Sequence, residues 1–405
     1  MNTSPITSGA RRNVYIFGAT SLFNDIASEM AYWILPAFLV SLGAGPAALG
    51  LIEGIAESVA AIGKLFSGYL TDIVQRRKPI VVFGYVLANA VKPLLALSTQ
   101  WWHVLLVRFA DRTAKGIRGS PRDVMLAESV EKEKVGGSFG LLQSLDSAGA
   151  VIGPLLALVI LSKTANLRTV FWIASIPGLI CILAVLMVRE TGARAAVKSR
   201  KPIWQPGNLS ARFYYMLAAV LIFSLGNSSD MFLVLRAQET GISPKLAPLL
   251  GLTFNVVYAL GAWPAGRLSD RRSKATIAAI GYLIFAGTYC TFAAAPSHAL
   301  LWIMMGCYGM YYALTSPVLR ALVVETVPND SRGRAFGVFY FSTSIATLFS
   351  SLLTGELWKH FGGALPFYLS AALAVIAALM LFAAKSSTQH SAISTQPLTA
   401  PGRSP

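Results

Sequence analysis

Charge is scarce in this chain: only 13% of its 405 residues are Asp, Glu, Lys or Arg, against about a quarter in ordinary soluble domains. Acids are the scarcer sign, 18 against 34 basic residues. Cysteine is nearly absent, and the spacing of Cys181, Cys290 and Cys307 fits no metal or redox motif, so they read as apolar fillers. The four histidines, His103, His298, His360 and His390, fall at helix ends, in loops or in the tail, where imidazole serves no buried proton path. No nucleotide-binding glycine loop, no metal-spaced His or Cys cluster and no nucleophile beside a base occurs. Enzymatic catalysis, ATP-driven pumping, a metal and a cofactor therefore have no support.

What fills the chain instead is apolar, 55% of it. A span of about 20 mainly apolar residues crosses a hydrocarbon core of about 30 Å. Twelve such spans are predicted, at 14–41, 47–71, 79–99, 101–122, 136–161, 169–188, 213–236, 246–269, 275–295, 299–321, 336–358 and 364–384. The fold class is an all-α membrane protein. The first span is long and carries Asp25 and Glu29, which marks a retained helix rather than a cleaved signal peptide.

A formal charge of +16 could point to nucleic acid, but the cations sit in alternate loops. With the N-terminus inside, the even-numbered connections carry Arg76, Arg77 and Lys78, then Lys132 and Lys134, then the basic run 189–212, then Arg271, Arg272 and Lys274, then Arg332 and Arg334. The odd-numbered ones offer Lys163, Arg168, Lys245 and Lys359. This asymmetry places both termini in the cytoplasm and makes the lipid bilayer, not nucleic acid, the large partner. Residues 189–212, with Pro202 and Pro206, read as a linker between bundles at 13–188 and 213–385. Residues 386–405 are expected to be a disordered tail.

Two segments nearly repeat each other at an offset of 198: Gly68, Leu70, Asp72, Arg76 and Arg77, and Gly266, Leu268, Asp270 and Arg271. The same offset relates Gly43 to Gly241 and Pro46 to Pro244, so the register runs through a whole loop and helix. A duplicated six-helix unit about a pseudo-two-fold axis is how many secondary carriers build a solute path. On these residues the chain resembles the major facilitator superfamily over 13–384. The resemblance implies two six-helix bundles, a small-molecule solute moved by alternating access, a monomer, and a latch role for the twin loops. The first copy departs from the family pattern at Ile73 and Gln75, where arginine and glycine are usual.

Ionisable groups inside the membrane cost about 2.5–3.5 kcal/mol each on insertion scales, which makes them functional candidates. The first half holds Asp25 and Glu29 on span 1, Glu53, Glu57 and Lys64 on span 2, Lys92 on span 3 and Asp146 on span 5. On span 4, Arg108, Arg112, Lys115, Arg118 and Arg122 recur at helical steps along one face. A cationic stripe must face the bundle or water, where the carboxylates of spans 1 and 2 can balance it. Lys115, Arg118, Arg122 and Asp123 are expected near the inner surface as structural pairs. Asp25 and Glu29, near mid-span, are the candidate proton carriers, with Arg108, Arg112 and Asp146 beside them. On span 7, Asn227 and Asp230 are candidate cavity residues, and Asp230 is badly spaced to pair with Arg236. Tyr32, Trp33, Tyr258, Tyr311 and Tyr312 are read as packing residues or as a wall for an amphipathic ligand.

Span 5 carries Gly140, Gly149, Gly153 and Pro154. Glycines at this spacing admit a close neighbour, and the pattern is similar to the motif of proton-exchanging exporters in the same superfamily. Arg112, Gly116 and Gly119 resemble that family's arginine motif, which implies a role for Arg112 near proton transfer. Arg122 and Arg320, again 198 apart, are assigned to a cytoplasmic gate. Glycine pairs Gly136 with Gly140 and Gly333 with Gly337 are read as packing and gate positions. The expectation is a proton-coupled exporter in the plasma (inner) membrane. The alternatives are proton-coupled uptake of an organic anion or zwitterion, and a non-transporting sensor on the same fold.

Overall fold

The computed structural model describes residues 8–32, 34–44, 46–74, 76–164, 166–191, 209–242, 247–294 and 297–393. The side chains of Glu53 and Glu57, and the whole of Trp33, Gln75, Pro244 and most of the linker, lie outside the described residues. Among those described the chain forms fifteen α-helices and no strand. The first half holds α1 (Ser8–Tyr32), α2 (Leu35–Ser41), α3 (Pro46–Ile73), α4 (Lys78–Val91), α5 (Leu94–Leu97), α6 (Trp101–Glu128), α7 (Val135–Thr164) and α8 (Leu167–Leu186). The second half holds α9 (Ala211–Gly226), α10 (Met231–Glu239), α11 (Ala247–Arg271), α12 (Lys274–Ala294), α13 (His298–Thr326), α14 (Arg332–Phe361) and α15 (Ala364–Ile393).

These helices make twelve traverses, because three predicted spans are each broken into two pieces. The third breaks at Lys92 and Pro93, where proline has no N–H to continue the ladder. The seventh breaks at Asn227 to Asp230, where Asn227 leaves helical geometry at φ −98° and ψ 82°. The first breaks before Leu35, and Pro36 sits in the first turn of α2, where its missing donor costs nothing. At the far end α15 runs to Ile393, past the predicted tail boundary at 386, since no proline or glycine interrupts the chain before Pro397.

Among the described residues, seven helical segments are long and apolar enough to cross a membrane by length and composition. The traverses that fall short include α1, α3 and α6, the ones loaded with charge. Large apolar side chains cover the outer surface instead of hiding: Leu158 is 65% exposed, Leu260 74% and Leu379 61%. Polar groups are buried in their place, among them Lys92, Arg118 and Asp123. That inversion is what lipid as the surrounding solvent demands.

The duplication is visible in local geometry. Gly43 and Gly241 both take positive φ, 75° and 101°. After each, the chain closes a six-residue ring back onto the preceding helix, Ala44 N–H to the Leu39 carbonyl at 2.9 Å and Ile242 N–H to the Ala237 carbonyl at 3.0 Å. Only glycine adopts that conformation cheaply, so both copies keep it. Within the first half α1 packs on α7 and α8, and α6 on α3 and α4; within the second α13 packs on α11 and α12, and α15 on α9 and α12. The halves meet chiefly along α7 with α11 and α3 with α14, and also where α7 meets α13 and α6 meets α14.

Candidate functional site

The end of the bundle that bears the arginine-rich connections, here the basic end, is held shut by two matching latches. Asp72, at the close of α3, accepts hydrogen bonds from the backbone N–H groups of Gly333 (2.8 Å) and Arg334 (2.7 Å). Asp270, at the close of α11, accepts from those of Gly136 and Gly137, both at 2.7 Å. Each carboxylate thus caps the first turn of a long helix in the opposite half, where unpaired N–H groups and the helix dipole favour negative charge. The approach needs bare backbone on both sides. A β-carbon on Gly68 would lie 2.5 Å from the Gly337 α-carbon, and one on Gly266 would lie 2.9 Å from the Gly140 α-carbon.

Beside each latch an acid at the close of one long helix, α6 or α13, pairs with basic residues at the starts of other helices. Arg77 grips Glu128 with a 2.7 Å contact and donates to the Thr71 carbonyl, while Glu325 takes Arg212 at 2.8 Å and Lys274 at 3.1 Å. Arg76 and Arg271, both part of the sequence signature, are exposed instead.

Above the latches lies a cavity of about 370 Å³ between the halves, within the range of about 300–1,000 Å³ usual for small-molecule sites. Its first-half wall is charged, with Asp25, Lys64, Lys115, Arg118, Arg122, Asp123 and Asp146. Its second-half wall is aromatic, with Phe223, Tyr282, Tyr311, Tyr312, Phe339 and Tyr340 around the single cation Arg320.

Asp25 and Asp146 face each other, with Lys115 and Glu29 as the other charges around Asp25. Asn24 donates to Asp25 at 3.0 Å, and Ser21 donates to Asp146 at 2.5 Å. Gln143 donates its amide to Asp146 at 3.2 Å and accepts a hydrogen bond from the Arg320 guanidinium through its carbonyl oxygen. One side chain therefore joins the carboxylates of the first half to the cation of the second. A second bridge runs from Tyr340, whose hydroxyl donates to Asp123, to Arg122, which pairs with Asp123 at 2.9 Å. Ser144 accepts from the Trp263 backbone N–H at 2.9 Å. These cross-half bonds all lie between the basic end and the middle of the bundle.

The span 5 glycines and the span 1 carboxylates, two separate signals in the sequence, are one contact in the structure. A β-carbon on Gly149 would lie 2.9 Å from that of Asp25, and one on Gly153 would lie 2.9 Å from that of Glu29. Bare glycine backbone on α7 is what lets α1 press its acidic face close. Gly140 serves the other interface, against Ala262, Trp263 and Gly266 of α11.

Of the other predicted site residues, Asn227 lines the cavity, while Glu29, Arg108, Arg112 and Asp230 are not among its lining residues. Arg108 and Arg112 gather with Lys92 around Asp111 behind the wall, near the cavity-lining Arg118, and Arg108 also lies over the Tyr32 ring at 5.4 Å. Asp230 accepts from Tyr308 at 2.7 Å and from Tyr312 at 3.4 Å. Arg236 turns to the Phe292 and Ala293 carbonyls and to Glu239, so it does not meet Asp230.

Lys115, Arg118, Arg122 and Asp123 are expected as structural pairs near the inner surface; Arg122 and Asp123 do pair, at 2.9 Å, but all four line the cavity. The reason is length, since α6 runs six residues past Arg122 to Glu128 and buries Pro121 within it. Gln143 and Tyr340, the two bridging residues, carry no sequence signal of their own. Among the described residues no group of three or more His, Cys, Asp or Glu converges to hold a metal.

Comparison with known proteins agrees with this architecture. The family model described as Major Facilitator Superfamily matches residues 17–236 and again 215–404, once for each half. An uncharacterized MFS-type transporter of Methanocaldococcus jannaschii is 33% identical over 379 residues, covering 91% of this chain and 94% of its own length. Multidrug resistance protein MdtG of Dickeya zeae is 24% identical over 404 residues, covering 93% of this chain and 94% of itself. The crystal structure of the E. coli fucose:proton symporter superposes with a TM-score of 0.76 at 15% identity, over 93% of this chain and 99% of that one.

Proposed function

The chain belongs to the major facilitator superfamily and is a multi-pass membrane transporter rather than an enzyme, and from that premise we propose a proton-coupled exporter of a small organic solute. The observation that carries this reading is the Asp25 and Asp146 pair in the cavity, joined through Gln143 to Arg320 of the other half. Carboxylates beside a lysine, in a chamber between two bundles, are groups that can take a proton from one side and release it on the other. Because Gln143 spans the interface, a change of charge at Asp146 is felt by the contact that holds the halves together.

The two halves rock about this cavity. With the basic end assigned to the cytoplasm by the positive-inside pattern, the latched conformation faces outward. Inward opening then requires Asp72 and Asp270 to leave the helix N-termini, and the Tyr340 and Arg320 bridges to part. The carrier works as a single chain in the inner membrane with both termini cytoplasmic. Export by antiport is favoured by the glycine seats beneath Asp25 and Glu29 and by the multidrug resistance proteins among the relatives. A second reading, proton-coupled uptake of an organic anion or zwitterion, is favoured by the lining itself, which sets five basic residues against three acidic ones.

The test is transport in vesicles with an imposed pH gradient, using solutes drawn from a resistance and uptake screen of cells lacking or overproducing the protein. Asp25→Asn and Asp146→Asn are expected to abolish gradient-driven flux while the protein stays monodisperse in detergent. Unchanged pH-dependent flux in both would remove the pair from the mechanism, and the sign of the coupled flux separates export from uptake. No solute movement at all would favour a sensor.

A further inference from the structure

The floor of the cavity collects positive charge around one hydroxyl. Lys64 of α3 stands with its Nζ 5.7 Å from the centre of the Tyr340 ring. Arg122 of α6 and Arg320 of α13 also face Tyr340. Among the described lining residues the carboxylate beside them is Asp123, engaged by Arg122 and by the Tyr340 hydroxyl. Arg320 has for neighbours the neutral amide of Gln143 and, 5.3 Å away, the Phe139 ring, neither of which cancels its charge. Among the described residues this floor therefore holds more cations than carboxylates.

The adjoining wall supplies a different chemistry. Phe223 and Tyr282 stack with centroids 3.9 Å apart and planes 4° from parallel, and Tyr311 lies 5.4 Å from Phe223. Two buried polar atoms on this wall have no hydrogen-bond partner among the described residues, the Tyr282 hydroxyl and the Asn227 side-chain oxygen. Both residues line the cavity. A buried hydroxyl without an acceptor is costly, which marks this wall as one whose polar atoms are not all satisfied within the fold.

We propose that this floor is an anion subsite and that the carried solute is an amphipathic organic anion. A carboxylate, sulfonate or phosphate group is held by Lys64, Arg122 and Arg320, and a flat apolar body lies against Phe223, Tyr282 and Tyr311. A cationic solute would meet like charge at the floor, leaving it, among the described lining residues, the Asp25 and Asp146 pair, where Lys115 already stands. The assignment rests on the carrier reading above and holds for export and uptake alike.

The probes are three naphthalenes differing only in charge: 2-naphthalenesulfonate, 2-naphthalenemethanol and (2-naphthyl)trimethylammonium, titrated against the full-length protein in detergent. The sulfonate is expected to bind at least about ten-fold more tightly than the ammonium. Lys64→Gln with Arg320→Gln removes that preference, and a retained thermal unfolding transition in detergent reports that the double variant is folded. Should it not fold, Lys64→Gln alone, with sodium chloride weakening sulfonate binding in the wild type, makes the same distinction. Tyr282→Leu weakens all three. Tighter binding of the ammonium, a sulfonate preference that survives the double variant, or no binding of any probe at millimolar concentration overturns the proposal. Proteoliposomes keep the two readings apart. Sulfonate binding without flux rejects the carrier and keeps the subsite; flux of other solutes without sulfonate binding does the reverse.

Discussion

Asp123 shows how context decides what a charge does. It is fully buried, yet it holds Arg122 within its own helix and Tyr340 across the interface. Removing one member of a buried pair strands the other, at a cost of about 3–5 kcal/mol. Asp123→Asn is therefore expected to lower the unfolding temperature in detergent clearly. Asp111 illustrates the same logic behind the wall, ringed by Lys92, Arg118, Arg112 and Arg108. The sequence showed an even cationic stripe on one helix; the structure divides it, part turned to Asp111 and part to the cavity. A unit step along a helix carries no information about which neighbour awaits each side chain.

Among the elements, α7 does two jobs with one residue type. Gly149 and Gly153 seat α1 inside the first half, while Gly136 and Gly140 seat α11 of the second. Identical substitutions should then give different outcomes. A β-carbon on Gly149 would lie 2.7 Å from the Leu22 carbonyl oxygen within a bundle that has no freedom to part. Gly149→Ala is expected to destabilise the protein by about 1–3 kcal/mol, read as thermal unfolding in detergent. At Gly266 the same methyl would press on Gly136 and Gly140 of the other half, and the halves relieve it by separating. Gly266→Ala should thus leave unfolding nearly unchanged and favour the form open at the basic end. Maleimide labelling of Ser331→Cys, in a background without Cys181, Cys290 and Cys307, reports that opening. Equal losses of stability in the two variants would contradict the division of labour.

For the molecule as a whole, the latches form a two-fold set, and each half lends a carboxylate to a helix start in the other. A hydrogen bond to a charged group contributes about 1.5–3 kcal/mol. Asp72→Asn and Asp270→Asn should each raise the labelling of Ser331→Cys modestly. Together they should raise it by more than either alone, since the remaining latch restrains the rocking when only one is lost. Labelling as low in the double variant as in the wild type would show that the latches do not hold this end.

The sequence by itself determined the solvent, the number of traverses and the duplication, because apolar span length, loop charge and repeat register are local properties written along the chain. It also located Asp25, Asp146, Asp72 and Asp270. The tertiary structure alone decided which of the buried charges meet. Gln143 and Tyr340 have no signature in one dimension, yet they bridge the halves, and Arg112 bears a recognisable motif but lies behind the cavity wall. Such partners are set by the rotation and depth of each helix against its neighbours, and those depend on side chains more than a hundred residues away.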